Sequence, residues 1–337
     1  MGHTTIKDVA QKAEVSIATV SRVLNELDNV SPATRQKVLD ACDELGYSPN
    51  MQAKRLKLGF TNSIAAVMPF LTLPSIVERL RGVQATLAES EYDLFPFSVE
   101  NPEERDQYLE RLANRSLADG VLIISMPISS EQVARFRRID MPVVLIDSFQ
   151  PGCSRVFTDD VLGGKMATEH LLDLGHRRIG FLSDHLDLPM QFSSTRDRFQ
   201  GYRLALEENG IPFDPAYQKQ GPHGREAARA MALELLTTNG RPTAIFAASD
   251  TQAIGVLDAA RELDLSVPDE LSVVGYDDIR DAEYVHLTTI RQPLFDTGKI
   301  GGKILIEQIA QGCLDEQEAL LPLSIITRST TAPSLRS

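Results

Sequence analysis

At 337 residues, with 42% hydrophobic and 24% charged positions, the chain has length for two or three domains of about 150 residues and can bury sizeable cores. That composition excludes a disordered, collagen-like or fibrous protein. No apolar run reaches the roughly 18 residues of a membrane-spanning helix, and the first ten residues carry Lys7 and Asp8 without a secretory apolar stretch. A cytoplasmic protein without a membrane partner is expected. Cys42, Cys153 and Cys313 are widely spaced, which fits a reducing compartment and supports neither a disulfide framework nor a cysteine-ligated metal. The net charge of -13 argues, averaged over the chain, against nucleic acid, yet residues 1–60 hold eight basic and seven acidic residues. All the excess acid therefore lies beyond them.

The first 46 residues predict three short helices. Thr5 with Asp8 makes a capping-box-like start, followed by Ile6, Val9, Ala10 and Ala13 at helical spacing. After a turn through Glu14 and Val15, Ser16 can cap a second helix whose stripe is Ile17, Val20, Val23 and Leu24. Ser31 and Pro32 open a third, with Val38, Leu39, Cys42 and Leu45 on its core side and Gly46 at its end. From Asn62 the pattern becomes short β-rich runs separated by amphipathic helices, the signature of parallel sheets covered by helices. Strands are predicted at 64–68, 94–97, 120–125, 143–146, 179–183, 244–248, 272–276 and 288–292, too many for one ordinary doubly wound sheet. Two lobes are expected, dividing near 159–164, with the chain crossing back near Gln292.

The first two helices have the spacing of a helix-turn-helix. Ile17 and Ala18 can touch a thymine methyl and Arg22 can fork onto guanine; the alternative from pattern alone is a small solvated bundle with Arg22 in water. The stretches Thr5-Ile6-Lys7-Asp8-Val9-Ala10, Val15 to Asn25 and Leu45-Gly46-Tyr47-Ser48-Pro49-Asn50 resemble the headpiece of the lactose/galactose repressor (LacI/GalR) family. The resemblance implies that Ile17, Ala18 and Arg22 read bases and that Thr5, Ser16, Thr19, Ser21, Asn25 and Thr34 contact phosphates. Glu14 departs from the glycine often found in the turn, where a positive φ suits glycine best. Asn50-Met51-Gln52-Ala53-Lys54-Arg55-Leu56 resembles the family's hinge helix, which implies that Ala53 approaches the minor groove and Leu56 wedges into the central base step. So short a segment is expected to fold only on DNA. A plain basic linker is the alternative.

From about Ser63 the body resembles the family's periplasmic-binding-protein-like core, through Leu174-Gly175-His176-Arg177-Arg178-Ile179-Gly180, Arg198-Phe199-Gln200-Gly201-Tyr202, Ala248-Ser249-Asp250, Val273-Val274-Gly275-Tyr276-Asp277-Asp278 and Leu287-Thr288-Thr289-Ile290. Ligands of such lobes bind beyond the carboxyl ends of strands. Asp147, Asp250 and Asp277 each follow a predicted strand and can converge on the crevice, with Arg198 as a donor fork and Phe70, Leu71 or Phe192 as apolar walls. A sugar suits that inventory. Asp250 can equally cap the next helix with Ser249, Asp159 and Asp160 can tie the lobe crossing, and the phenylalanines can be core.

No nucleophile elbow, phosphate-binding loop, dinucleotide fingerprint or histidine metal motif occurs, so no enzyme activity and no cofactor are expected; His176 reads as structural. The fold class expected is an all-α helix-turn-helix headpiece (1–49), a hinge helix and linker (50–61) and an α/β two-lobed body (62–337; one lobe about 62–159 and 293–321, the other about 160–292 and 322–332). The expected function is a dimeric repressor of sugar uptake or catabolism genes. Its partners are double-stranded operator DNA and a small effector, a sugar or sugar derivative. Alternatives are a nucleoside or other metabolite as effector and, more remotely, a sugar-binding receptor or a hydrolase. No leucine heptads follow Thr327, so a homodimer without a coiled-coil tail is expected.

Overall fold

Three local caps organise the head. The Thr5 backbone N–H and hydroxyl donate to the Asp8 carboxylate at 2.8 and 2.7 Å and open α1 (Ile6–Lys12). Those bonds hold the Asp8 carboxyl below its ordinary pKa. The Ser16 hydroxyl accepts from the Thr19 N–H at 3.1 Å at the start of α2 (Ile17–Leu24). Ser31 does the same for Thr34 at 3.2 Å, and Pro32 begins α3 (Pro32–Leu45). Gly46 ends α3 at φ 58°, where its N–H and that of Tyr47 take up the carbonyls of Asp43 and Cys42.

The computed structural model describes residues 4–24, 29–47, 60–187 and 193–334. Asn25, Asn50, Ala53, Leu56 and Phe192 therefore lie outside the described residues. The chain divides into two compact units, Met1–Thr61 and Asn62–Ser337. Within the first, Val9, Ala10, Ala13, Val20, Val23, Val38, Ala41 and Cys42 form the core. Two expected core residues are not there. Leu39 is 42% exposed because the buried stripe of α3 runs through Val38, Ala41 and Cys42, and Ile17 is 45% exposed at the first position of α2.

The second unit contains two six-stranded sheets among the described residues. The first is built from β1 (Ser63–Pro69), β2 (Asp93–Val99), β3 (Gly120–Ile124), β4 (Val143–Ile146), β5 (Ser154–Thr158) and β11 (Glu318–Leu321), in the order β11-β5-β4-β3-β1-β2, all parallel. The second has β6 (Ile179–Asp184), β7 (Gln218–Gly221), β8 (Ala244–Ala247), β9 (Ser272–Asp277), β10 (Thr288–Arg291) and β12 (Ser324–Ile326) in the order β12-β10-β9-β8-β6-β7, parallel except β12 on β10. The eight expected strands are all present, shifted by at most two residues at an end. The sequence reading missed β5, β7, β11 and β12. Three of these are outermost in a sheet, and all four are short and partly exposed, so they lack the continuous apolar run that marks a central strand.

Helices cover both faces. In the first lobe α4 (Pro74–Leu87), α5 (Pro102–Leu112) and α6 (Ser130–Arg138) follow their strands, and in the second α7 (Asp160–Asp173), α8 (Ser193–Glu208), α9 (Arg225–Leu236), α10 (Asp250–Glu262) and α11 (Arg280–Tyr284) do so. After β10 the chain returns to the first lobe as α12 (Leu294–Gln311), packed along α4 and against β3, β4 and β5. A Cβ at Gly82 would collide with the Phe295 carbonyl, and one at Gly298 with the Arg79 carbonyl. The two helices therefore meet backbone to backbone, which pins Arg79 at the lobe seam.

Candidate functional site

In the head, α2 turns one face to solvent. Val20 and Val23 turn α2 into the core, leaving Ile17, Ala18 and Arg22 in solvent on the other side. Thr5 and Ser16 are exposed, and Thr19, Ser21 and Thr34 half-buried. The Ser16 hydroxyl meets that of Thr19 at 2.9 Å, and the Ser31 hydroxyl that of Thr34 at 2.8 Å, so these caps hold candidate phosphate contacts in fixed positions. Glu14 adopts φ 54° in the α1–α2 turn, closed by the Val15 N–H on the Ala10 carbonyl at 3.0 Å. The turn keeps a left-handed residue without glycine, at a local cost of about 1–2 kcal/mol.

In the body a cleft opens between the carboxyl ends of the two sheets. Its lining includes Ser75, Arg79 and Ser125 from the first lobe, Asp184, Thr195, Arg198, His223 and Asp277 from the second, and Gln292 at the crossing. Arg198 is 6% exposed. Its Nε donates to Asp160 at 2.8 Å, its Nη1 donates to the Ala248 carbonyl at 2.6 Å and lies 3.8 Å from Asp277, and the guanidinium sits 3.7 Å over the Tyr276 ring. Burial disfavours its charge, but Asp160, Tyr276 and Asp277 together raise the pKa above its ordinary value. Most of the expected donor fork is thus already committed to the protein.

The three strand-end carboxylates do not converge on the cleft as expected. Asp277 does line it, accepting from Gln292 Nε2 at 2.6 Å, and burial pushes its pKa up. Asp147 lies behind Arg79 and is ion-paired to it; its pKa is raised by burial against the pull of that guanidinium. Asp250 is turned away altogether. It has no exposed surface, and its carboxylate accepts from the Thr289 hydroxyl at 2.5 Å and the Ile279 N–H at 2.9 Å. Burial drives its pKa well above the ordinary carboxylate range. Ser249 is the residue that caps α10, with its hydroxyl accepting from the Gln252 N–H at 3.3 Å, and Asp250 ties α10 to β10.

Phe70, at φ 48° just past β1, is 38% exposed and is not among the residues that line the cleft; Leu71 is exposed beside it. Asp159 caps α7 by accepting from the Leu162 N–H at 2.9 Å, while Asp160 anchors Arg198. His176 bonds Thr243 at 2.9 Å and Ser272 at 3.0 Å inside the second lobe, a structural role.

The sequence reading missed a group that the fold brings together. Asp184 ends β6 and takes His223 Nδ1 and Gln252 Nε2 each at 2.9 Å. Burial opposes the charge on His223, but the bond and charge of Asp184 outweigh it and leave the imidazole pKa raised. Asp184 directly follows the strand predicted at 179–183, so the rule that pointed to Asp147 could have pointed to it; His223 and Arg79 carried no such signal. At the seam Gln292 Oε1 accepts from the Thr158 hydroxyl at 3.1 Å and faces Arg79 Nη2 at 3.5 Å, while its Nε2 holds Asp277. One side chain thereby joins polar groups of both lobes. Among the described residues no group of three or more His, Cys, Asp or Glu side chains is disposed to hold a metal, and no helix is long and apolar enough to cross a membrane.

Comparison with known proteins agrees with this architecture. Residues 5–50 match the bacterial regulatory proteins of the lacI family, and residues 168–331 match the periplasmic binding protein-like domain. The chain is 34% identical to the ribose operon repressor of Escherichia coli (strain K12), over 97% of this chain and 99% of that protein. It is 35% identical to the HTH-type transcriptional repressor PurR of Photobacterium profundum, over 90% and 92%. Among solved structures, the Lac repressor dimer bound to operator and the anti-inducer ONPF superposes with a TM-score of 0.84 at 28% identity, covering 98% of this chain and 100% of that one. Both of the sequence relatives are repressors by name. By its headpiece, its two-lobed body and relatives that span nearly its whole length, the chain belongs to the lacI family of bacterial regulatory proteins.

Proposed function

We propose that the protein is a cytoplasmic homodimeric repressor whose hold on a near-palindromic operator is set by a sugar or sugar derivative in the interlobe cleft. The observation that carries this reading is the presence in one chain of an exposed α2 face and a separate polar cleft whose walls come from two lobes. On this reading the head is residues 1–49, the hinge 50–61 and the body 62–337. Ile17, Ala18 and Arg22 read base edges, and Thr5, Ser16, Thr19, Ser21, Asn25 and Thr34 hold the backbone phosphates. Asn50, Ala53 and Leu56 belong to a hinge that enters the minor groove, Leu56 as its wedge. The Lac repressor relative supports the dimer and the operator, being itself a dimer bound to operator.

For the effector, the cleft presents hydroxyl, carboxylate, imidazole and guanidinium groups, and none of the described lining residues is Phe, Tyr or Trp. That favours a hydroxyl-rich ligand over a planar base, although the likeness to PurR keeps a purine or nucleoside as the second reading. Asp277 and Arg198 are the assigned ligand contacts in the second lobe, with Phe192 a candidate wall. Asp147 acts through Arg79. A ligand that pulls on Asp277 and Arg79 together changes the Gln292 bridge, and so the relation of the lobes. A coupling of about 1–3 kcal/mol, roughly 5- to 150-fold in DNA affinity, suffices for regulation.

The test is fluorescence anisotropy of the full chain on DNA from upstream of its own and neighbouring genes, with and without a panel of sugars and nucleosides. A sugar-dependent change in operator affinity is expected, and Arg22→Ala is expected to cost about 1–3 kcal/mol and to relax preference at one half-site position. Sequence-independent DNA binding, or a response to nucleosides alone, overturns the reading or replaces the effector.

A further inference from the structure

Arg79 stands where no strand-end rule would place a ligand contact, in the second turn of α4. It is 4% exposed and lines the cleft. Its Nη1 donates to the Ser75 carbonyl at 3.0 Å, within its own helix, and its Nη2 pairs with Asp147. Its Nε, fully buried, has no hydrogen-bond partner among the described residues. A buried N–H left open in this way is an unsatisfied donor on a side chain that lines the cleft, and a guanidinium Nε donates strongly to any oxygen placed before it.

The charge around it limits what that oxygen can be. The cations at the cleft, Arg79, Arg198 and a protonated His223, each already face a carboxylate: Asp147, Asp160 and Asp184. Asp277 remains as a fourth carboxylate, bonded by the neutral amide of Gln292 and 3.8 Å from the Arg198 guanidinium that Asp160 already pairs. Among the described lining residues no positive charge is spare, and an anionic ligand would be carried out of water toward a surplus carboxylate. A hydroxyl or ring oxygen meets no such penalty.

We propose that Arg79 is the specificity-determining residue of the first lobe, donating through Nε to an oxygen of an uncharged sugar, and that the cleft rejects phosphorylated and acidic sugars. This rests on the sugar reading above and narrows it: the neutralised Arg79–Asp147 pair offers a donor without offering a net charge. The pair also keeps the guanidinium fixed between ligand visits, because Asp147 cannot leave without stranding a buried charge.

The experiment is isothermal titration of the full chain with matched probes: D-glucose against D-glucose 6-phosphate and D-gluconate, D-ribose against D-ribose 5-phosphate, and cellobiose. A neutral sugar is expected to bind more than about a hundredfold tighter than its charged counterpart. Arg79→Lys keeps the charge beside Asp147 but lacks the Nε donor, and is expected to weaken the neutral sugar about tenfold with the discrimination against anions retained. Should that variant fail to fold, the double variant Arg79→Met with Asp147→Asn removes both charges together and is expected to show at least the same loss. Equal or tighter binding of a phosphate or acid by the wild-type protein overturns the charge part. An undiminished affinity in a folded variant overturns the role of Arg79 while leaving the sugar reading intact. If none of the probes binds, neutral or charged, the sugar reading falls and this inference falls with it.

Discussion

The polar contacts of the head close over short stretches of chain, Thr5 with Asp8, Ser16 with Thr19 and Ser31 with Thr34, each three residues apart. Those that build the cleft reach across the fold: Arg198 to Asp160 over 38 residues, Gln292 to Thr158 over 134 and Arg79 to Gln292 over 213. The head's bonds are exposed and the cleft's are buried, so the same chemistry carries different weight. An exposed cap contributes about 1 kcal/mol, whereas a buried charge that loses its partner costs several. The head is thereby cheap to alter residue by residue, and the body is not.

The sharpest challenge to that contrast is Asp160→Ala. It leaves Arg198 buried without its main carboxylate and is expected to destabilise the body by about 3–5 kcal/mol in urea unfolding; a loss below that of an exposed cap would erase the distinction. Next comes Asp250→Ala, expected to cost about 1–3 kcal/mol because the Thr289 hydroxyl and the Ile279 N–H lose a buried acceptor. The folded Asp250→Ala protein should keep its sugar affinity, while Asp277→Ala should lose the sugar response; matched losses of affinity in the two would return Asp250 to the site.

In the head, Glu14→Gly is expected to stabilise by only about 0.5–1 kcal/mol, because relief of the positive φ is partly offset by the added freedom of glycine in the unfolded chain. Slower hydrogen exchange of the α1 and α2 amides in the full chain would register it, and faster exchange would show that the Glu14 side chain makes a compensating contact. The smallest effect concerns pH. His223 has a raised pKa when folded, so its bond to Asp184 contributes fully below the unfolded value of about 6.5 and fades as pH rises through the folded value. The difference in melting midpoint between wild type and His223→Gln should shrink between pH 5.5 and pH 9, both roughly chosen to bracket the imidazole. A difference that grows with pH would place the neutral imidazole in the folded state.

How much was legible follows the same division. The caps, the turn, the buried stripe of α2 and the exposed Arg22 are all read over windows of one or two helical turns, and among the described residues of the head the structure departs from the expected core at Leu39 and Ile17. In the body the central strands were legible because burial on both faces makes them apolar throughout, as in Ile64 to Met68. The edge strand β7, Gln218–Gly221, carries no such run and is a strand because β6 pairs with it.

Of the cleft lining, the strand-end rule pointed to Asp277 and the family resemblance to Arg198. The rule could not tell Asp277 from Asp250, since both follow a strand and only the packing of β10 and the α11 loop decides that Asp250 faces inward. Sequence by itself determined the elements, the family and the separation of a near-neutral head from an acidic body, because periodicity, capping and charge are local properties. Which polar groups meet at the lobe seam, which guanidinium is already spent and which keeps an open donor, only the tertiary structure decided: the seam contacts join the two lobes through Gln292, the Arg198–Asp160 contact spans 38 residues, and no window of one or two helical turns contains both partners.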